Sequence, residues 1–500
     1  MASDAVARCT LPFDTLSPPG REETRTPARP TQPSHGRASR DERSDGPDGA
    51  PSIAARQGWL AAFARRLRHA HADLVAVVGE EIGKPAWETS LAEVLPLLAS
   101  IDWHRRHLAR LLGARSLGRG PWWQWGTSGR VHRLPLGRVL IIATWNYPLQ
   151  LLGIQLVQSM AAGNETWVKP SERSPRSQRL LLDLARAALA DAGLSQDLLV
   201  ECDAARAEGE RLLREERFDH ILFTGSTAVG RRVAEAAAVT LTPTTLELSG
   251  RDSAIVLADA DPDLAARSLW QATCLNAGQT CMAPRRALVD RRLLPAFLDA
   301  LRPLAAAARP LRLVDADAAA RCHACVEDAI ARGGRSISGV LEAPAGAWYR
   351  PMVVADCPLA CELADGAHFG PALAVIAADG VADMLAMHRT NGQVLATSVF
   401  TRTPSAVEAM LADLESSFVT VNECIRPTAH PAASILGRGA SGWGASRGEA
   451  GLLALTRAVT VTRRGWGSPP PEPPTERVLG LLRRMAGLGP IRDARQGTNP

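Results

Sequence analysis

The chain has 500 residues, 46% of them hydrophobic, and a formal net charge of +5. That length and apolar content call for two or three cored domains rather than one. The small charge, with no basic stripe interleaved with aromatics, argues against nucleic acid as a partner, and no run reaches the ~18 apolar residues of a membrane span.

Residues 1–50 are rich in Pro, Gly, Ser, Arg and Asp and read as a disordered tail. Met1 to Thr10 lacks the charged start and apolar core of a secretory leader, and Asp4, Asp14, Glu22 and Glu23 speak against a transit peptide. Nine scattered cysteines point to a reducing compartment, hence the cytoplasm. From Ile53 to Leu112 the apolar spacing is helical, with Gly83-Lys84-Pro85 as a break and a long helix from Glu93. The tryptophans of Trp122-Trp123-Gln124-Trp125 then suggest an interface or hairpin.

From Arg138 strands and helices alternate. Strands are predicted at Val139 to Ala143, Thr166 to Lys169, Leu198 to Glu201, His220 to Phe223 and Thr245 to Leu248, with helices between them. Ser174-Pro175 should cap one of these helices and Gly193 close it. The rhythm restarts with Ala254 to Leu257, Arg286 to Asp290, Leu373 to Ile376, Val394 to Phe400 and Phe418 to Val421. Such alternation gives α/β architecture, two doubly wound parallel sheets covered by helices. A proline-rich linker from Ser468 and an amphipathic helix over Leu479 to Met485 end the chain.

The chemistry is placed on Asn276-Ala277-Gly278-Gln279-Thr280-Cys281, a short connection from a helix to a strand. Scaffold-held loops carry reactive groups, although an isolated cysteine is more often an inert buried hydrophobe. Four other stretches change that balance. Phe223-Thr224-Gly225-Ser226-Thr227-Ala228-Val229-Gly230 follows a strand and opens a helix, where glycines and the helix dipole can receive a phosphate. Lys169 and Glu172 stand at a strand end, spaced to grip ribose hydroxyls. Only two of the 57 basic residues are lysines, Lys84 and Lys169, which singles them out where arginine is otherwise used. Asn146, in Trp145-Asn146-Tyr147-Pro148, carries a carboxamide that can donate to an oxyanion. Glu247, between Leu246 and Leu248, should have a raised pKa suited to a general base. Cys322-His323-Ala324-Cys325 has the spacing of half a zinc site without a second half, so no metal is expected.

These motifs, in this order and continued by Phe369-Gly370-Pro371, resemble the aldehyde dehydrogenase superfamily from about Arg56 to Arg464. The resemblance implies a Rossmann-like cofactor domain (51–120 and 135–247), a catalytic thiol domain (248–434), and a β oligomerisation arm (121–134 and 435–464), with a tail at 465–500. It implies oxidation of an aldehyde to an acid with NAD, NADP being the alternative. Cys281 would attack the carbonyl, Asn146 and the Cys281 amide hold the oxyanion, and Glu247 activate water against the thioester. Lys169, Glu172, Gly225, Ser226, Trp145 and Phe369 would bind the cofactor. A carboxylate at Glu172 favours NAD over a 2′-phosphate. Trp145, Tyr147 and Leu151 near the mouth suggest an apolar or aromatic aldehyde. The arm implies a homodimer or homotetramer. Two departures stand out: Ala367 occupies the place of the family's nicotinamide-ribose glutamate, and Ser249 that of a usual glycine. Competing readings are an enzyme that passes the thioester to coenzyme A, which Glu247 argues against, and a catalytically weak binding or structural protein on the same scaffold.

Overall fold

A computed structural model describes residues 50–121, 124, 126–465 and 475–489. The N-terminal tail, Trp122, Trp123, Trp125 and the proline-rich linker therefore lie outside the described residues, with the expectations placed on them.

The helical layer forms where the apolar spacing required it. Ser52 starts the helix Ile53–His69 by accepting from the Ala55 amide at 3.2 Å. That helix buries Trp59, Leu60, Phe63 and Leu67 and packs on the helix Pro175–Asp191, where the Trp59 indole donates to the Ala185 carbonyl at 3.1 Å. The next helix, His71–Ile82, ends at Gly83 in the left-handed conformation (φ 74°). The helix expected from Glu93 instead begins as a widened π turn, Thr89–Val94, before Leu95–Leu112. The cause is Glu93, whose carboxylate is drawn inward to a buried lysine; such turns gather at functional sites.

The first sheet has six strands in the order Gly442–Trp443, Thr244–Leu248, His220–Gly225, Arg138–Ile142, Glu165–Lys169 and Leu199–Glu201. All pairings are parallel except that of Gly442–Trp443 with Thr244–Leu248. Helices cover the strands, so Val139, Leu140 and Ile141 are all fully buried and the strand reads as a continuous apolar run. Pro175 does open its helix, but Ser174 makes no side-chain cap there.

The second sheet has seven strands, ordered Arg335–Ser336, Met352–Ala355, Ala372–Ala378, Arg286–Asp290, Ser253–Val256, Ala396–Phe400 and Phe418–Val421. Arg286–Asp290 and Phe418–Val421 fall where the pattern put them. Met352–Ala355 was not anticipated: four apolar residues between turns carry no period that marks a strand.

Arg115–Ser116, Thr127–Pro135 and Thr456–Arg464 form a separate antiparallel sheet. The segment assigned as arm from residue 435 divides. Only Thr456–Arg464 pairs in the arm; Gly442–Trp443 joins the first sheet, and the helix Gly448–Ala454 packs on the helix Gln150–Ala162. Glycine explains the return: Gly442 has φ 101°, and a Cβ there would collide with the Leu246 carbonyl.

Candidate active site

The Cys281 loop is built before any ligand arrives. The helix Pro262–Cys274 is capped by Asp261, which accepts from the Leu264 amide at 3.1 Å. Beyond it Asn276, Ala277 and Gly278 are all left-handed, with φ of 51°, 52° and 73°. Two non-glycine residues in that region are strained, and strain persists only where the surroundings over-determine it. Here they do. Glu88 accepts from the Asn276 amide at 2.8 Å. The Asn276 carboxamide donates to the carbonyls of Asn146 (2.8 Å) and Gln279 (3.0 Å). The buried Arg285 guanidinium donates to the carbonyls of Gly278 and Thr280, each at 2.8 Å. Gly278 also packs so close to Gly370 that a Cβ would strike its carbonyl.

Asn146 faces this loop. Its Nδ2 donates to the Gln279 carbonyl at 3.0 Å, and its Oδ1 accepts from the Thr144 hydroxyl at 3.1 Å. Its backbone carbonyl accepts from Lys84 Nζ at 2.8 Å. Lys84 is fully buried, pairs with Glu93 at 2.5 Å and lies 3.9 Å from the Tyr147 ring centre. Glu93 in turn accepts from the Leu149 amide at 2.7 Å, at the start of the helix Gln150–Ala162. Burial pulls the Lys84 pKa down, against the pull of Glu93. Its scarcity therefore marked an anchor that fixes the Asn146 backbone, a role the sequence did not disclose.

Glu247 stands near the end of Thr244–Leu248, between Thr224 of the next strand and Gly442 of the edge strand. Its carboxylate accepts from the Thr224 hydroxyl at 3.1 Å and the Gln155 amide at 3.3 Å, and burial holds its pKa above the usual range. Burial first, then the negative Glu247, push the Cys281 thiol up to about 11, while Arg447 pulls it down. One cavity brings together Cys281, Glu247, Asn146, Trp145, Gly225, Ser226 and Phe369. A groove leads from it, sharing Trp145, Gly225 and Ser226, to Lys169 and Glu172. Lys169 Nζ and the Glu172 carboxylate are 3.2 Å apart. Ser226 accepts from the Val229 amide at 3.4 Å and so caps the helix Thr227–Val239, whose N-terminus opens on the groove. Trp145 and Phe369 meet edge to face, centroids 6.0 Å apart. A second cavity of ≈ 190 Å³ meets the first at Cys281; Trp87, Leu91, Tyr147, Leu151 and Met282 are among its walls. Tyr147 and Leu151 line it as expected, but Trp145 lies on the groove side instead.

Two findings concern residues the sequence left open or passed over. Ala367 presents only a methyl to the first cavity, and its neighbours do not replace a carboxylate. Asp365 pairs with Arg251 at 2.5 Å, and His368 is buried with its Nδ1 4.0 Å from Cys322 Sγ. Arg447, missed altogether, lines both cavities. It is buried with φ 60°, and its guanidinium donates to the Thr428 carbonyl at 3.1 Å and Gln150 Oε1 at 3.4 Å. Among the described residues it has no carboxylate within salt-bridge distance, so its charge is felt by Glu247 and Cys281. Nothing in the sequence distinguished it from the many other arginines.

A thiol on a locked turn, a buried carboxylate and a carboxamide face one cavity, and beside them a dinucleotide-sized groove on a doubly wound sheet defines an enzyme with a dinucleotide cofactor. The comparisons fix the family. The aldehyde dehydrogenase family model matches residues 49–461, and the chain belongs to that family. It is 30% identical over 417 residues to 4,4'-diapolycopene-4,4'-dial dehydrogenase of Cytobacillus firmus, covering 82% of this chain and 89% of that protein. It is 29% identical over 400 residues to the dimeric NADP-preferring aldehyde dehydrogenase of Canis lupus familiaris, covering 78% and 85%. A crystal structure from Burkholderia cenocepacia, assigned to the aldehyde dehydrogenases, superimposes with a TM-score of 0.76 at 29% identity over 84% of this chain and 89% of that one.

Proposed function

We propose that this chain oxidises an apolar aldehyde to its carboxylic acid with NAD or NADP, using Cys281 as nucleophile. The observation that carries the reading is the place of Cys281, where the apolar cavity and the cavity holding Glu247 and Asn146 meet.

The groove fits a dinucleotide. Among the described residues Lys169 spends one of its ammonium donors, on Glu172, and the capped helix end at Ser226 attracts a pyrophosphate. Gly230 keeps that helix close to the strand, since a Cβ would lie 2.5 Å from Leu248. When bound, the nicotinamide supplies the acceptor for a hydride. Every other part belongs to the chain. Cys281, its thiol proton released to solvent, attacks the aldehyde carbon as the thiolate, and Glu247, whose buried carboxylate has raised basicity, is kept for the water step. Asn146 Nδ2, released from the Gln279 carbonyl, and the Cys281 amide receive the oxyanion. Loss of the hydride leaves a thioester on Cys281, and Glu247 then deprotonates the water that releases the acid. Arg447 keeps thiolate and carboxylate compatible in one cavity. Glu172 favours NAD, because its carboxylate repels a 2′-phosphate.

The arm supports assembly as a homodimer or homotetramer. Among the described residues Thr456–Arg464 is the outer strand of its sheet with mostly exposed residues, an edge that a second copy can cover. No helix among the described residues is long and apolar enough to cross a membrane. Eight described cysteines are free, which supports a cytoplasmic setting.

The test is NADH or NADPH formation across a panel of aldehydes, with and without coenzyme A. Acid formation independent of coenzyme A is expected, fastest with apolar or aromatic aldehydes. A strict requirement for coenzyme A would replace water with a thiol as the acceptor.

A further inference from the structure

The second sheet carries a pair of thiols that the aldehyde chemistry does not use. Cys357 follows the strand Met352–Ala355, and its amide donates to the Val375 carbonyl at 3.1 Å. Cys361 opens the turn that leads to Phe369, with the Asp365 amide donating to its carbonyl at 3.0 Å. The two side chains point at each other: Cys357 Sγ and Cys361 Sγ are 3.5 Å apart. The sulfurs are inequivalent. Cys361 Sγ accepts from the Ala364 amide at 3.4 Å as well as from the Cys357 thiol. These donors, the Cys357 thiol foremost, bring Cys361 below the usual thiol range, while the same contact and burial push Cys357 up. Nearby charged groups oppose the shift: Asp328, held by Arg332 and by the Glu362 amide, repels a thiolate. Cys361 is buried, but it is flanked in the chain by the exposed Ala360 and Glu362, so a small oxidant needs little opening to reach it.

We propose that Cys357 and Cys361 form a reversible disulfide on exposure to a peroxide, with Cys361 as the attacking sulfur. The Cys361 thiolate attacks one peroxide oxygen; an S–O bond forms, the O–O bond breaks, and hydroxide leaves to become water. Cys357 sulfur then attacks Cys361 sulfur; the S–S bond forms, the S–O bond breaks, and hydroxide departs with the Cys357 proton as a second water. The sulfurs lose two electrons, which the peroxide gains. A resolving thiol in contact protects Cys361 from the irreversible sulfinic and sulfonic stages. A disulfide needs its sulfurs at about 2.05 Å, so they approach by roughly 1.5 Å. That shift is taken up by the turn between Cys361 and Phe369.

Peptide mapping of the full chain tests this without reference to activity. Trypsin should release 336–389 whole, since Arg350 precedes Pro351, and Cys357 and Cys361 are its only cysteines. After graded hydrogen peroxide, that peptide should lose the mass of two hydrogens and regain it with dithiothreitol. In Cys357→Ser, dimedone should trap a sulfenic acid on Cys361. The proposal is overturned if both thiols remain alkylatable at doses that oxidise Cys281, or if Cys361 passes directly to sulfinic acid in the unaltered chain.

Discussion

Two segments meet at the cavity around Cys281, and they are held very differently. From Asn276 to Cys281 the turn is tied down by Glu88, Arg285 and its own carboxamides, and its strain is kept by these partners. From Ala367 to Phe369 the opposite wall has a methyl where a charged contact was expected, and a buried histidine whose Nε2 lacks a partner among the described residues. The difference teaches that the Cys281 turn is fixed by many partners, while the wall at Ala367 would offer a bound nicotinamide fewer ties than Lys169 and Glu172 would offer the adenosine half. Charge-assisted hydrogen bonds, absent at Ala367, are the stronger ones.

The largest effect belongs on the fixed side. Cys281→Ala should abolish aldehyde oxidation and leave thermal unfolding nearly unchanged, because a half-buried loop thiol contributes little packing. More than a trace of NADH formation would show a different nucleophile. Asn146→Ala should lower kcat by about 10²–10³-fold, the usual scale for one oxyanion donor, with a smaller change in substrate KM. A pure KM effect would instead make Asn146 a binding residue.

Arg447→Gln probes the charge balance. The thiol of the cofactor-free protein rests at about 11, so alkylation of Cys281 rises with pH up to there. Removing the cation raises the thiol pKa, and at a fixed lower pH the alkylation rate falls by about tenfold for each unit of that rise. Arg447→Lys should recover most of the rate; equal rates in the Gln variant and the parent would mean that Arg447 serves packing alone.

The smallest effect is on the loose side. Ala367→Glu should raise kcat several-fold with little change in cofactor affinity, since misplacement of reacting atoms by about 1 Å costs up to ~10²-fold. The parent should show a primary isotope effect with aldehyde deuterated at C1, and the variant a reduced one. An isotope effect near one in the parent would mean that the missing carboxylate limits nothing.

What could be read from the sequence follows from what a local pattern carries. The strand Arg286–Asp290 is buried throughout, and Phe418–Val421 is a short run of apolar and β-branched residues at the sheet edge, so both runs announced themselves. Cys281, Glu247 and Asn146, which line one cavity, could be singled out because each sits in a motif set by its own chain neighbours. Arg447 was not, because its meaning comes from Gln150, Thr428 and Cys281, far away in the chain and close only once both sheets are built. Lys84 was noticed as a rarity, yet its partner Glu93 and the π turn they enforce depend on burial, which composition does not display. The return of Gly442–Trp443 to the first sheet was hidden for the same reason: its edge partner, Thr244–Leu248, lies two hundred residues earlier in round terms (about 200) and glycine alone signals no pairing partner.

The division of labour between Cys281 and Glu247 is open to one direct measurement. Glu247→Gln, mixed rapidly with saturating NAD and an apolar aldehyde, should give a burst of NADH near one equivalent per active site, followed by turnover slowed by ~10²–10⁴-fold. Mass mapping of the quenched protein should find the acyl group on the peptide carrying Cys281. No burst and no acyl group on Cys281, with steady turnover like that of the parent, would contradict both assignments at once.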